Sequence, residues 1–357
     1  MTPELPLAEQ REGPLRIVLI GGGTGLSTLL GGLKVFARPS SRGDSSSLLA
    51  QFPVVDLSAV VTVSDDGGSS GRLRRDFKVL PPGDIRNCMV ALSEDEALLS
   101  RLFRYRFARG RGLKGHSFGN LFLAALTNIT GDFARAVRVS SEVLAIKGHI
   151  YPATAANVTL EADLEDGSIV SGETRISRSR SRIRRIRLNP PRCVPLAETL
   201  QAIAEADAIT LGPGSLFTSI IPNLLVEGIP QAIARSRAVK ACFVNLMWQP
   251  GETAQFTAAD HVAAIHDHAG IDLLDYVVVN TRPIGPSLLK RYARQQALPV
   301  ENDLERLRNM GVQILGRDLL QEAGKVRHNP ASTAAVAIEL AAEGRRRGSR
   351  FGVPPPA

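Results

Sequence analysis

Short runs of branched apolar residues alternate along this chain with segments whose apolar positions recur every three or four residues. Residues 16–20, 57–63, 208–211, 241–246, 276–280 and 312–315 form the apolar runs. Runs of that length suit strands buried on both faces of a parallel sheet. Residues 26–36, 98–107, 121–129, 131–144, 195–206, 258–269, 286–293, 304–310 and 331–343 carry the helical period. The alternation predicts an α/β, Rossmann-like three-layer fold with a mainly parallel sheet.

The rhythm breaks once. Residues 157–164 alternate apolar and polar, Glu165-Asp166-Gly167 reads as a hairpin turn, and residues 168–173 resume the strand. Ile183, Ile186 and Leu188 mark one more strand. Residues 151–192 are therefore expected to form a small β-rich insertion inside an α/β domain spanning 16–343. Residues 1–15 read as a loose tail, 39–47 as a flexible loop, and 344–357 as a basic, Pro-rich tail without structure.

The ends of the predicted strands carry the candidate chemistry. Gly22, Gly23, Thr24 and Gly25 follow the first strand and open a helix. Glycine lets a ligand approach the backbone, and the first amides of a helix have no internal partners, so the expected ligand is a phosphate. A dinucleotide fingerprint would need glycine where Leu26 stands, and a P-loop would need a lysine after Gly25. Gly212-Pro213-Gly214-Ser215 repeats the strand, glycine turn and helix, with Ser215 as N-cap and phosphate donor.

Polar residues gather at other predicted turns. Asp65 and Asp66 end the second strand, where a carboxylate can accept from a sugar hydroxyl or hold Mg²⁺. The Pro-Pro-Gly turn delivers Asp84 to a helix N-cap, with Asn87 one turn on. His116 and Asn120 flank a glycine-bounded turn before an apolar helix, while Asn245 and Asn280 sit at two further strand ends.

Charge changes the picture only locally. The net charge of +8 is concentrated in residues 175–192 and in Arg345–Arg347. The first run alternates Arg with Ser and Ile without aromatics, which favours a solvated strand face over nucleic-acid binding. Three cysteines without metal spacing fit a reducing compartment. MTPELPLAEQREG lacks the basic-then-apolar order of a signal peptide, and no apolar run is long enough to span a bilayer. A cytoplasmic protein is the expectation.

The blocks IGGGTGLS, TVSDDGGSSGRLR, LPPGDIRNC, GHSFGNLFLAALT, NVTLEADLEDGSI, LGPGSLFTSIIPNLLV and QPGET occur in that order. Together they closely resemble the gluconeogenesis factor family (YvcK type), related to 2-phospho-L-lactate transferase in the CofD-like superfamily. The resemblance implies a cytoplasmic bacterial protein that binds UDP-sugars, notably UDP-N-acetylglucosamine. It also implies support of cell shape and peptidoglycan synthesis during gluconeogenic growth, without a settled catalytic activity. Tyr292 in KRYA and Arg327 in VRHN resemble the family's ligand-binding pair. Pro330 follows where some relatives carry a phosphorylatable Thr, and Trp248 replaces the usual Thr before QPGET, altering the expected pocket lining. The transferase branch would use Mg²⁺ at Asp65 and Asp66 for phosphoryl-group transfer; an NAD(P)-binding protein is a further alternative. Expected partners are a UDP-sugar or other nucleotide diphosphate, cell-wall synthesis proteins and further copies of the chain.

Overall fold

The computed structural model describes residues 13–37, 54–93 and 98–350. The expected loop at 39–47 and the outer parts of both expected tails lie outside the described residues. Along the chain come β1 (Leu15–Gly21), α1 (Gly23–Leu33), β2 (Val55–Val61), α2 (Gly68–Phe77), α3 (Gly83–Leu92), α4 (Leu98–Arg104), α5 (Phe118–Thr130) and α6 (Phe133–Val143). Then follow β3 (His149–Pro152), β4 (Thr159–Leu164), β5 (Ile169–Ser171), α7 (Glu173–Ile176), β6 (Ile183–Asn189), α8 (Ala197–Glu205) and β7 (Ala208–Leu211). After β7 come α9 (Ile221–Leu224), α10 (Ile229–Arg235), β8 (Val239–Phe243), α11 (Ala258–Ala269) and β9 (Tyr276–Asn280). The chain ends with α12 (Pro286–Ala293), α13 (Leu304–Asn309), β10 (Gln313–Arg317), β11 (Leu320–Glu322), β12 (Val326–His328) and α14 (Pro330–Arg350).

Seven strands form one parallel sheet in the order β10-β9-β8-β7-β1-β2-β3. The central strands are apolar on both faces because helices cover both. In β1, Ile17 to Ile20 are at most 2% exposed, and β7 is buried throughout. From β1 the sheet grows through β2 to β3; from β7 it grows the other way, through β8 and β9 to β10. Right-handed crossovers therefore place the helices of the two halves on opposite faces. The direction reverses between β1 and β7, paired in register from Ile17 with Ala208 to Ile20 with Leu211. Ligands bind beyond the carboxyl ends of strands at such a switch point.

Several expected boundaries move. Tyr151 and Pro152, the first two residues of the expected insertion, belong to the main sheet: β3 pairs with β2 at its edge. The antiparallel insertion sheet, ordered β5-β4-β6, begins only at Thr159. In β6, Ile183, Ile186 and Leu188 are buried while Arg184, Arg185 and Arg187 are exposed, so this part of the Arg run has the one-sided pattern that its alternation predicts. The helix expected over 98–107 stops at Arg104, and Arg106 joins an isolated bridge with Ser117. The last helix continues seven residues beyond 343. There Arg345, expected in a tail, donates to buried Asp207 at 2.6 Å and 2.9 Å. The β11–β12 hairpin had no counterpart among the expected elements, because its three-residue strands are too short to carry a period.

Candidate functional site

The two glycine turns come together because their strands are neighbours. Gly212 N–H donates to Ile20 O at 2.9 Å, which continues the ladder into both turns. Gly23 has φ +64°, in the left-handed region that favours glycine. Gly25 is needed for another reason: a Cβ there would lie 2.3 Å from Pro213 O, so only glycine lets α1 rest on the second turn.

Between the turns lies a cavity of about 370 Å³. Gly22, Gly23, Thr24, Gly25, Gly214, Ser215, Asn245 and Arg327 all line it. Eight sequence-selected positions, drawn from four separate segments, therefore share one wall. Asn245 and Leu246 also line an adjoining cavity of about 330 Å³, together with Asn280. There the Asn280 side chain is committed to its own loop, bonding Arg282 O at 2.6 Å and accepting from Leu319 N at 3.1 Å. It shapes the cavity wall. Gly212 supports the second turn from behind with φ +75°.

Ser215 occupies the N-cap position but its side chain makes no capping bond. Its hydroxyl instead accepts from Gln249 Nε2 at 2.7 Å, and Gln249 Oε1 accepts from Asn245 Nδ2 at 3.2 Å. This relay crosses the cleft. Gln249 was not singled out from the sequence, although it stands in the QPGET block just beyond a strand end. Trp248, expected to alter the lining, does not line this cavity; its ring N–H donates to Phe256 O at 3.0 Å.

Arg327 reaches the cavity on the β11–β12 hairpin. His328 beside it is buried, and burial lowers its pKa to about 4, so the neutral ring sits with Nε2 3.2 Å from Val244 O. That contact ties the hairpin to the end of β8. Tyr292 on α12 holds the other side: its hydroxyl accepts from Val326 N at 3.1 Å. Arg291 donates to Gly324 O in the hairpin turn. The structure thus couples Tyr292 to Arg327 through a single intervening residue.

The acidic residues form a second group on the far side of the first turn. Asp84 is not an N-cap; Pro82 holds that place and Asp84 lies in the first helical turn of α3. Gly23 N–H and the Asn87 side chain lie near its carboxyl, and a Cβ on Gly22 would come within 2.6 Å of Asp84 Oδ2. Burial, with Asp65 nearby, pushes the Asp84 carboxyl up to about 7. Glu173 of the insertion, raised to about 9 mainly by burial, faces the same group. Neither Glu173 nor its neighbour Glu252 was selected from the sequence, because partners this distant in the chain leave no local signal.

Asp65 and Asp66 diverge. Asp65 Oδ1 accepts from Gly67 N–H at 2.7 Å. Asp66 Oδ1 accepts from Thr174 N–H at 2.9 Å and its hydroxyl at 2.6 Å, which anchors the insertion. Among the described residues no group of three His, Cys, Asp or Glu is placed to hold a metal. Each of the two carboxylates spends one oxygen on a nearby backbone N–H, and no chemistry is routed through Mg²⁺ here. His116 and Asn120 lie outside both cavities and steady α2: His116 Nδ1 is 3.1 Å from Ser69 Oγ, and Asn120 Nδ2 is 3.5 Å from Ser70 Oγ.

Comparison with known proteins fits this architecture. The family model described as 2-phospho-L-lactate transferase CofD matches residues 17–320. A gluconeogenesis factor of Bacillus subtilis is 46% identical over 329 residues, covering 92% of this chain and 98% of the relative. The chain belongs to the gluconeogenesis factor family. A second family member, from Halalkalibacterium halodurans, is 45% identical, covering 90% of this chain and 95% of its own. The crystal structure of a UPF0052 family protein from Bacillus halodurans superposes with a TM-score of 0.84 at 44% identity, covering 92% of this chain and 99% of that one. Of the blocks that carry the resemblance, IGGGTGLS, LGPGSLFTSIIPNLLV and QPGET supply lining residues of the cleft at the switch point.

Proposed function

We propose that the cleft binds a UDP-sugar, UDP-N-acetylglucosamine in particular. On this reading the protein is a cytoplasmic regulator that supports cell shape and peptidoglycan synthesis during gluconeogenic growth. The observation that carries it is that Arg327 lines the same cavity as the Gly22–Gly25 and Gly214–Ser215 turns. A diphosphate needs such a set: backbone amides at a helix N-terminus, a hydroxyl, and a planar cation that donates two bonds at once. The adjoining cavity shares Asn245 and Leu246 with the first and adds Thr281, Ile284 and Asn302. An apolar wall with a few polar groups suits a base or a sugar ring. Leu26, fully buried where a dinucleotide site has its third glycine, argues against NAD(P).

Calorimetric titration with UDP-N-acetylglucosamine, with GDP and NAD as comparators, tests the proposal. Arg327→Ala is expected to weaken binding about 10- to 100-fold, the range for a charge-assisted bond. Unchanged affinity in that variant, or preference for GDP or NAD, would overturn the reading. A second reading, phosphoryl-group transfer on the same ligand, is favoured by the raised Asp84 carboxyl beside the phosphate turn. Turnover of the UDP-sugar that Asp84→Asn abolishes, with binding retained, would support it.

A further inference from the structure

Between α4 and α5 the chain makes an excursion, residues 105–117, that contributes nothing to either cleft cavity. From Ala97 to Gly131 the sequence holds Arg101, Arg104, Arg106, Arg109, Arg111 and Lys114 and no Asp or Glu. All six cations are exposed. The excursion is firmly built. Phe118 N–H donates to Tyr105 O at 2.9 Å, Phe107 N–H to His116 O at 2.9 Å, and Gly115 N–H to Phe107 O at 2.7 Å. Arg72 of α2 donates to Lys114 O at 2.9 Å, and Arg106 to Gly115 O at 2.7 Å. Asp76 on α2 lies near His116 at the base. Glu94, Asp95 and Glu96 precede the stretch and lie outside the described residues.

Crowding like charges on one hairpin opposes folding through self-repulsion. The same stretch also exposes apolar side chains that a purely solvated face does not need. Leu98 is 68% exposed, Tyr105 52% and Leu113 44%, and Phe77 at the end of neighbouring α2 is 54% exposed. Single-stranded nucleic acid would require open ring faces for stacking, but Tyr105 and Phe107 pack edge to face, 5.1 Å apart. Arginines mixed with leucines and a tyrosine match the headgroup region of an anionic bilayer. There the cations meet lipid phosphates and the apolar side chains enter the acyl boundary. We propose that the α4–α5 hairpin docks this protein on an anionic phospholipid surface, leaving the cleft open to its soluble ligand.

Co-sedimentation of the full chain with vesicles tests this. Vesicles of equimolar phosphatidylglycerol and phosphatidylcholine should retain the protein at low salt and release it as salt rises, and phosphatidylcholine alone should not retain it. Arg109→Gln with Arg111→Gln should weaken partitioning by about fivefold for each charge lost. Leu113→Ser should reduce the retention that survives added salt. Arg184→Gln with Arg185→Gln, on the insertion sheet, should leave partitioning unchanged. The melting temperature of each variant checks that it is folded. Failure to bind anionic vesicles, equal binding to neutral ones, or an equal loss in the insertion variant would overturn the proposal. So would tighter binding of an oligothymidine strand than of the vesicles.

Discussion

Asp84 shows how one residue links stability, pH and the first glycine turn. Its neutral form is favoured in the folded protein because burial penalises the charge. The folded state therefore binds more protons than the unfolded chain between the ordinary carboxylate range and about pH 7. Stability is fullest below that window and falls as pH rises through it. Asp84→Asn should flatten this dependence, recovering on the order of a few kcal/mol at about pH 8 relative to about pH 5. Thermal denaturation of both proteins across that interval is the measurement, and parallel curves would refute the assignment. At Gly25 the constraint is steric. Gly25→Ala would drive a methyl into Pro213 O, prising α1 from the second turn. Loss of both nucleotide affinity and thermal stability is expected, by at least about 1–3 kcal/mol.

Among the elements, the β11–β12 hairpin and α14 repay attention because neither had its full extent in the sequence pattern. The hairpin is three residues a side and owes its position to Tyr292, Arg291 and His328. Tyr292→Phe keeps the ring and removes the acceptor for Val326 N–H. It should weaken ligand binding about fivefold, a typical single hydrogen bond, while leaving the ring packed against the small apolar cluster that includes Leu246 and Met247. An effect as large as that of Arg327→Ala would instead mean direct contact between Tyr292 and ligand. The last turns of α14 are held by the Arg345–Asp207 pair, whose side chains are 17% and 4% exposed. Arg345→Ala strands a buried carboxylate and should lower stability by about 3–5 kcal/mol, read from chemical denaturation. Gly344 permits the approach, since a Cβ there would lie 1.8 Å from Asp207 O.

For the whole molecule, the cleft is a consequence of strand order. Ligand bound across both turns bridges the two halves of the sheet, and its binding energy adds to folding stability. At about 100 times its dissociation constant, UDP-N-acetylglucosamine should stabilise the protein by about 2.7 kcal/mol, visible as a raised melting temperature. Arg327→Ala should remove about half or more of that rise at the same ligand concentration. A rise of equal size in the variant would place the ligand elsewhere.

The apolar runs determined by themselves that β1, β7, β8 and β9 are buried strands, because a strand covered on both faces has no polar alternation to keep. Glycine spacing likewise marked both glycine turns at the switch point, because chain reversal and close approach demand that residue. Tertiary structure alone decided which distant segments meet. It set Arg327 in one cavity with Gly23, bonded Asp66 to Thr174 and brought Glu173 near Asp84. It also converted an apparent basic tail into a helix clasping Asp207. Those outcomes depend on strand order and helix packing. Side chains this far apart in the chain acquire a common environment only when the sheet is assembled.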